Sequence, residues 1–481
     1  MKDHFDYVIV GAGSAGAALA ARLTEDPGCR VLLLEAGPTD RKQAIHIPAA
    51  FSTLYRTDLD WDYFTEPQPA LAGRRIFWPR GKMLGGCSSI NAMMWVRGFA
   101  ADYDEWAEHA GPGWSYESVL NYFRRIEDTE AAAGDHQGRG GPMAVSEQRS
   151  PSPLTEAFLQ ACEQVGVPRT SGAEVNGAQP EGVAQTRVSQ RRGRRWSTVD
   201  GYLRPAKRRP NLTILTGAHT TKVRLEGTRA TGVEYVHSGA VRVARAGSEV
   251  ILCGGAINTP QLLMLSGIGP AGQLRAHGIE VAQNLPEVGQ NLQDHLVSAL
   301  IAHSSSKDTL YAAQSPRQLV RYLTRQRGML TSNVAEAYGF VRSDDALPLP
   351  DLELIFAPAP FVGEGLAKPT GHGITVGPIL VRPRSSGEVT LASADPFSAP
   401  RIDPRYLSDP EGADMAAMRS GMELSEQILA APALSRYVQG YMQPGNEVSA
   451  AERTDTAIRR HSHTLYHPVG TCRMGNDDGA V

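Results

Sequence analysis

The order of apolar and polar residues at the start of the chain predicts a strand, a turn, a helix and a second strand. Residues 5–10 (FDYVIV) are a short apolar run rich in β-branched side chains, as in a buried strand. The glycine-rich stretch 11–16 (GAGSAG) follows at once, and 17–23 (AALAARL) is typical of a helix. A second apolar run, 31–37 (VLLLEAG), predicts the next strand. These segments together indicate a β-α-β unit.

Segments far downstream add to the same sheet. Residues 221–227 and 231–236 alternate as the two arms of a hairpin. The stretch 249–269 predicts a strand, a Gly-Gly turn at 254–255 and a helix starting near Asn258. We therefore expect a parallel sheet that is assembled from distant parts of the chain.

The pattern changes near residue 300. Residues 374–383 and 387–393 predict antiparallel strands joined by turns. Residues 413–431 have the spacing of an amphipathic helix. This part of the chain predicts a second, α+β domain.

Composition narrows the class of protein. The 481 residues carry 48 Lys and Arg against 51 Asp and Glu, a net charge of −3. Nucleic-acid binding needs a basic excess, so we expect no nucleic-acid partner. The five cysteines are scattered and form no C-x-x-C pair, which argues against a disulfide framework and a structural zinc site.

The chain shows no pattern of a secreted or membrane-spanning protein. Its first residues run directly into the predicted strand, without a signal peptide. The longest uncharged stretch, 7–21, is too short and too glycine-rich to span a bilayer. We expect a cytoplasmic protein and leave open its association with the inner face of the membrane.

The glycine-rich turn has the spacing of a dinucleotide site. Gly11 permits the tight turn, Gly13 lets the backbone approach a pyrophosphate, and Gly16 lets the helix pack closely on the strand. The helix N-terminus offers free N–H groups to phosphate. Glu35 follows about 20 residues later, where an acid accepts hydrogen bonds from a ribose diol. That acid disfavours NADP but does not separate NAD from FAD.

Two further segments have alternative interpretations. Residues 79–98 are a Gly/Ser-rich loop with the lone amide Asn91, and they lead into an apolar segment. They either bring backbone N–H groups to a flat heterocycle or form a surface loop followed by a core helix. The basic run 191–196 (RRGRRW) is either a solvated loop or a phosphate contact.

Three histidines lie close together near the C-terminus: His461, His463 and His467. They lack a clustered carboxylate or cysteine, so we expect no metal site. His467 precedes Pro468, which holds the preceding residue extended and presents the imidazole rigidly. Histidine suits a general base near neutral pH. The alternative is a structural histidine.

Long motifs along nearly the whole chain match one family. They are GAGSAG (11–16), LLLEAG (32–37), WPRGKMLGGCSSINAMMWVRG (78–98), CGGAINTPQLLMLSGIGP (253–270), LPEVGQNLQDH (285–295), LTSNVAEAYGF (330–340), ADPFSAPRIDPRYL (394–407) and YHPVGTCRMG (466–475). With them the chain resembles the glucose–methanol–choline (GMC) oxidoreductases, and within that family the bacterial alcohol and choline dehydrogenases.

The resemblance implies FAD as the cofactor and assigns residues to it. His467 would be the catalytic base beside the flavin. The ADP half would be held by Gly11, Gly13, Ser14, Ala15, Gly16 and Glu35, the isoalloxazine ring would lie along Gly86, Asn91, Ala92, Met93 and Met94, and Val223 would meet the adenine through its backbone. Some choline oxidases attach FAD through a histidine where this chain has Ile90, so we predict non-covalent FAD.

The implied reaction is oxidation of a primary alcohol to an aldehyde. His467 would remove the hydroxyl proton while hydride passes to flavin N5, and a quinone-type acceptor or oxygen would reoxidise the flavin. A dehydrogenase is favoured over an oxidase. A fatty-acid photodecarboxylase of the same superfamily is disfavoured, because those relatives lack the His467-Pro468 pair.

The resemblance also implies a division of the chain and a fold class. We expect an α/β protein with a Rossmann-like FAD-binding domain (1–299, a discontinuous parallel sheet with lid or loop insertions around 40–190). An α+β substrate-binding domain on an antiparallel sheet would span 300–460. Residues 461–481 would return to the FAD domain with the catalytic histidine. The family's closing segment is expected to be absent beyond Val481, which raises the alternative of a truncated flavin-binding relative without turnover.

Overall fold

The computed structural model describes residues 4–130, 134–170, 174 and 176–481. The remaining residues within 40–190 belong to the predicted insertions and lie outside the described ones. Two large sheets organise the fold. The first is built mainly from the N-terminal half of the chain and the second from the C-terminal half.

The first sheet is mixed and has six strands. In chain order its strands are β1 (His4–Val10), β2 (Val31–Glu35), β3 (Leu212–Thr216), β4 (Ala218–Glu226), β5 (Arg229–His237) and β6 (Ala240–Leu252). Their order across the sheet is β3-β2-β1-β6-β5-β4. The strands β3, β2, β1 and β6 are parallel, and β6, β5 and β4 form an antiparallel meander. The predicted hairpin is confirmed, and the predicted discontinuous parallel sheet is present as the four parallel strands of a mixed sheet.

The second sheet is antiparallel and has seven strands. They are β7 (Leu296–Val297), β8 (Leu300–Ser304), β9 (Ala337–Val341), β10 (Leu352–Ala357), β11 (Gly373–Leu380), β12 (Val438–Gln443) and β13 (His463–Thr464). The main path is β9-β10-β11-β7-β13, and β8 pairs with β11 and β12. The predicted antiparallel sheet is confirmed.

Helices cover the sheets and the loops between them. The α-helices are α1 (Ser14–Leu23), α2 (Gln43–His46), α3 (Ala100–Ala110), α4 (Tyr116–Ile126), α5 (Pro153–Gln164), α6 (Arg204–Ala206), α7 (Gly255–Leu265), α8 (Ala271–Ala276), α9 (Pro316–Arg325), α10 (Ala413–Ala430), α11 (Pro432–Ser435) and α12 (Ala450–Thr456). Two-stranded pairs join Tyr63–Phe64 to Phe77–Trp78, Glu127–Thr129 to Met143–Val145, Gln190–Arg191 to Arg194–Arg195, Ile268–Gly269 to Gln283–Asn284, and Glu388–Thr390 to Arg401–Asp403.

One face of the second sheet packs into the core and the other lines a cavity, because side chains alternate along a strand. In β10, Leu352, Leu354 and Phe356 point into the main core with α5 and α10. Glu353 and Ile355 point the other way and line a cavity. The core face is closed by Phe158 of α5, whose ring stacks on Phe356 at 4.7 Å between centroids.

Two element predictions need correction. The helix expected near Asn258 already begins at Gly255, because Pro260 is accommodated inside it. Proline cannot donate to the carbonyl four residues earlier, and the Thr471 hydroxyl donates to that Ala256 carbonyl instead, at 2.6 Å. The strand expected at 387–393 is shortened and pairs with Arg401–Asp403, outside the large sheet.

The division of the chain at residue 299 stays a prediction, although the antiparallel sheet begins slightly earlier, at Leu296. Across the described ranges, no helix combines the length and apolar character that crossing a bilayer requires.

We expect Phe356→Ala to lower the free energy of unfolding by about 3–5 kcal/mol, because it leaves a cavity against Phe158. Urea unfolding followed by circular dichroism measures this. Tyr122→Ala is the matched control: its ring is 63% exposed, so its effect should stay within about 0.5 kcal/mol. Equal effects of the two substitutions would contradict the assignment of Phe356 to the core.

Candidate active site

Two adjoining cavities lie between the sheets. The first has a volume of about 760 Å³ and the second about 610 Å³. They share Arg80, Cys87, Pro468 and Val469 in their walls. The second cavity opens at the carboxyl ends of the adjacent parallel strands β1 and β6, where open α/β sheets bind their ligands.

The glycine-rich turn forms one wall of the second cavity. Gly11 has φ +98°, and a Cβ there would lie 2.5 Å from the Cys253 carbonyl oxygen. A Cβ on Gly16 would lie 1.9 Å from the Gly11 oxygen, so only glycine lets α1 approach the turn. Gly13, Ser14 and Ala15 line the cavity itself.

The N-terminus of α1 is open to a ligand. Among the described residues, no side chain caps it, so the first N–H groups of the helix face the cavity with their partial positive charge. The turn of the second crossover, Gly254 and Gly255, lines the same cavity. The second strand–turn–helix segment therefore joins the first at one site.

Glu35 lies at the end of β2 in the wall of this cavity. Its two carboxylate oxygens accept hydrogen bonds from the N–H groups of Ala12 (3.0 Å) and Gly37 (2.8 Å). Burial raises the pKa of Glu35 to about 7, although those two hydrogen bonds act in the opposite direction. The acid is thus fixed by the backbone at the position predicted for a ribose contact.

The loop 79–98 reaches the first cavity, and its one helical segment is a short 3-10 turn at Gly86–Ser89. Asn91, Ala92, Met93 and Met94 line that cavity. The side-chain oxygen of Asn91 (Oδ1) accepts hydrogen bonds from the Arg195 guanidinium (2.7 Å) and the Met93 N–H (3.0 Å). The interpretation as a surface loop followed by a core helix is wrong.

Arg195 belongs to the basic run that was expected to be solvated or to contact phosphate. It is instead 2% exposed. Besides Asn91, its guanidinium donates to the Ile45 carbonyl at 2.8 Å. Burial lowers the pKa of Arg195 to about 9. Neither interpretation of residue 195 holds, because the side chain supports the cavity wall from behind.

Two predicted residues do not reach the cavities. Gly86 lies under the glycine-rich turn, where a Cβ would meet Gly13 Cα at 2.8 Å, and its neighbour Cys87 lines both cavities instead. Val223 is buried, and its N–H donates to Ser266 Oγ at 2.8 Å. Val223 is outside both cavity walls, and the strand reaches the second cavity at 218–220.

His467 lies in the wall of the first cavity, next to the residues that both cavities share. Its backbone N–H donates to Asp294 Oδ1 at 2.9 Å. The other oxygen of Asp294 accepts from the Tyr406 hydroxyl, and the Thr464 side chain bonds the same carboxyl group. Burial raises the pKa of Asp294 to about 6, while these hydrogen bonds lower it.

The imidazole of His467 faces that of His295. Their Nδ1 atoms are 3.1 Å apart, and the rings meet edge to face. The His467 side chain is exposed, but only to the cavity that encloses it. This enclosure lowers its pKa to about 3, and the electrostatic interactions with His295 and Arg80 act in the same direction. The ring is therefore neutral at physiological pH.

Sequence reasoning missed Asp294, His295 and Arg195 as parts of the site. The first two were visible only inside the motif at 285–295, with no role attached. Arg195 was singled out only as a member of the basic run 191–196, and nothing in such a run indicates which arginine is buried.

Of the neighbouring histidines, His463 lines the first cavity and its Nδ1 bonds the Thr464 carbonyl at 2.8 Å. Within the part of the chain that the structure describes, no three His, Cys, Asp or Glu side chains converge as metal ligands would.

Comparison with known proteins identifies the family. The two models of the GMC oxidoreductase family match residues 5–297 and 383–481. The chain is 55% identical to an uncharacterized GMC-type oxidoreductase of Mycobacterium tuberculosis, covering 100% of this chain and 91% of that protein. It is 42% identical to an alcohol dehydrogenase [acceptor] of Pseudomonas putida (99% and 87% covered). The crystal structure of pyridoxine 4-oxidase from Mesorbium loti superposes with a TM-score of 0.88 at 34% identity (99% and 90% covered).

The chain therefore belongs to the GMC oxidoreductases, a family of FAD-binding flavoproteins. The expectation that its C-terminal segment is absent is not borne out, because the C-terminal family model extends over residues 383–481. The residues present fit FAD: an uncapped helix N-terminus, a buried acid and a turn without room for a Cβ lie in one cavity that joins a second.

We expect Gly16→Ala to weaken FAD binding roughly tenfold or more, since relieving the contact with the Gly11 carbonyl shifts the turn at a cost of about 1–3 kcal/mol. The ratio of flavin to protein absorbance after gel filtration measures this. Gly272→Ala, whose Cβ meets nothing within 4 Å, should retain the normal ratio. Full flavin content in Gly16→Ala would show that the close approach is not required.

Proposed function

We propose that this protein oxidises a primary alcohol to an aldehyde with FAD, using His467 as general base. The observation that carries the proposal is the position of the His467 ring. It stands in the wall of the larger cavity, and the residues that follow it line both cavities. A substrate in the first cavity thus contacts the imidazole at the point where the first cavity meets the second.

The hydrogen bonds of His295 favour the tautomer that a base needs. The hydrogen bond between His295 and the Val381 backbone raises the pKa of His295. The His295 ring is therefore the donor and the Val381 carbonyl the acceptor. A neutral His295 then accepts at Nδ1 from the Nδ1–H of His467. His467 keeps a lone pair on Nε2, and we assign the proton transfer to that atom.

The chain's residues account for the proton in this reaction. His467 Nε2 accepts the hydroxyl proton, and the C–O bond of the alcohol becomes the C=O bond of the aldehyde. FAD, when bound, supplies the acceptor for the hydride of the carbinol carbon. The neighbouring Arg80 adds positive charge next to the developing alkoxide.

FAD attachment is proposed to be non-covalent. Ile90, at the position of the linking histidine in some choline oxidases, has no side chain that can form the bond, and it is buried. The acceptor that reoxidises the flavin is proposed to be a quinone-type molecule, with oxygen as the alternative. The similar proteins include both an alcohol dehydrogenase [acceptor] and an oxidase.

The alternatives lose support. Flavin binding without turnover was proposed because of a missing segment, and that absence is not borne out. The photodecarboxylase remains disfavoured because His467 and Pro468 are present at the cavity wall.

We expect His467→Ala to retain FAD but to slow flavin reduction by a primary alcohol about 10²–10⁴-fold, the usual contribution of a general base. Anaerobic bleaching of the flavin band measures the rate. His277→Ala, a substitution outside both cavity walls, is the control and should bleach normally. Unchanged bleaching in His467→Ala would remove this residue from the mechanism.

The lowered pKa of His467 predicts a flat pH profile. A base must be neutral, and a pKa of about 3 keeps the imidazole neutral until the pH falls to that value. The limiting rate of flavin reduction should therefore not decline between about pH 8 and pH 6. Stopped-flow measurement of hexanol-driven reduction tests this. A loss of rate centred near pH 6.5, the ordinary pKa of histidine, would show that the site does not desolvate the base.

A further inference from the structure

One acid in the larger cavity has no role in the proposed chemistry. Glu353 is 5% exposed and lines this cavity. Burial alone raises its pKa to about 8, without a contribution from any hydrogen bond or charge. Among the described residues it has no hydrogen-bond or ion-pair partner.

The other buried acids of the described residues are all satisfied by the protein. Glu336, for example, accepts hydrogen bonds from Ser152 N–H (2.7 Å) and from the hydroxyls of Thr155 and Ser332 (both 2.6 Å). Glu127 pairs with Arg97 at 2.5 Å. An unpaired buried carboxyl group costs stability, so packing does not explain Glu353.

The strand register shows where Glu353 points. Cross-strand partners share a face of the sheet, and one such row runs Phe340–Glu353–Ile379–Val297–His463. Phe340, Val297 and His463 line the first cavity with Glu353. This row forms part of the floor of the cavity, and Glu353 is the one residue of the row with a carboxyl group.

Glu353 lies well away from the reacting end. His295 lines the same cavity and lies two residues before Val297, just outside the strand β7. Two strand spacings of about 4.8 Å and two residue rises of about 3.4 Å place the Cα atoms of Glu353 and His295 roughly 12 Å apart. The side chains of both residues take up part of this separation, so a substrate that contacts both is shorter than about 12 Å but longer than a two-carbon alcohol.

We propose that Glu353 is a specificity-determining residue that hydrogen-bonds a second hydroxyl of the substrate, at the end remote from the carbinol carbon that His467 serves. The substrate class is then a medium-chain alcohol with a terminal second hydroxyl. This inference rests on the proposed alcohol oxidation. The same cavity wall contains the apolar side chains of Val96, Phe99, Phe340 and Ile355, which suit the intervening hydrocarbon chain.

The protonated acid explains why a hydroxyl is preferred to a cation. Since its pKa is raised to about 8, Glu353 carries its proton at neutral pH. It then donates one hydrogen bond and accepts another, which matches a hydroxyl group. The Tyr338 hydroxyl also stays neutral, because burial and the charge of Glu353 raise its pKa, while Arg187 acts in the opposite direction.

The test compares an α,ω-hexanediol with hexanol, which differ in one hydroxyl group. We expect the wild-type holoenzyme to show a higher kcat/KM for the diol. Glu353→Leu should reduce the diol-to-hexanol ratio about tenfold or more, the effect of losing a buried hydrogen bond. Glu353→Gln, which still donates and accepts, should retain most of the ratio. Ile355→Val, on the same strand, is the matched control and should change both alcohols together.

Binding separates this inference from the proposed function. Equilibrium titration of FAD-loaded His467→Ala, with and without the additional substitution Glu353→Leu, measures the binding of both alcohols through the flavin absorbance and needs no turnover. If no alcohol reduces the wild-type flavin, the proposed function fails, and the titration still tests Glu353. An unchanged ratio in Glu353→Leu overturns the inference. Loss of the ratio in Glu353→Gln, together with tight binding of an α,ω-aminohexanol, would mean an ion pair and would overturn it as well.

Discussion

The site depends on one buried carboxyl group, that of Asp294. It accepts the backbone N–H of His467 and the hydroxyl of Tyr406, and it bonds the Thr464 side chain. These partners are separated by more than a hundred residues from Asp294 along the chain. A buried carboxyl group is stable only when its oxygens are fully hydrogen-bonded. The hydrogen bonds that satisfy Asp294 therefore also hold residues 464–467, including His467, next to the strand β7.

The glycine-rich turn imposes the second constraint. Gly11, Gly16 and Gly86 each face a backbone atom at a distance that no side chain tolerates. Because β1 and β6 are parallel neighbours, both glycine turns open at the same edge. Residues 469–471 then close that edge, through Val469 N–H to the Gln293 carbonyl and Thr471 hydroxyl to Ala256. The second cavity and His467 are thus parts of one backbone framework.

Local patterns were enough to predict the parts of this framework that depend on neighbours in sequence. The first β-α-β unit, the hairpin and the acid at Glu35 follow from spacing and alternation within thirty-odd residues. Arg195 and Val223 were not predictable, because their positions depend on contacts with Asn91 and Ser266, far away in the chain. The role of Asp294 has the same origin. The histidine at 467 was found through its motif and the proline that follows, whereas its partner His295 is visible only in three dimensions.

Glu353 shows why substrate choice is harder to predict than cofactor or catalysis. Its strand, LELIFA, has the alternation expected of a sheet with one core face. From sequence alone, a single glutamate in such a strand indicates a solvent-facing position. The face of the sheet that carries Glu353 is instead covered, because residues 96–99 lie over it and line the same cavity as Phe340 and Ile355. Glu353 therefore faces an enclosed cavity and not the solvent. Cofactor motifs are constrained by a ligand that the whole family shares. The cavity floor is constrained only by this chain's own substrate, so a single unpaired side chain there is enough to change the substrate specificity.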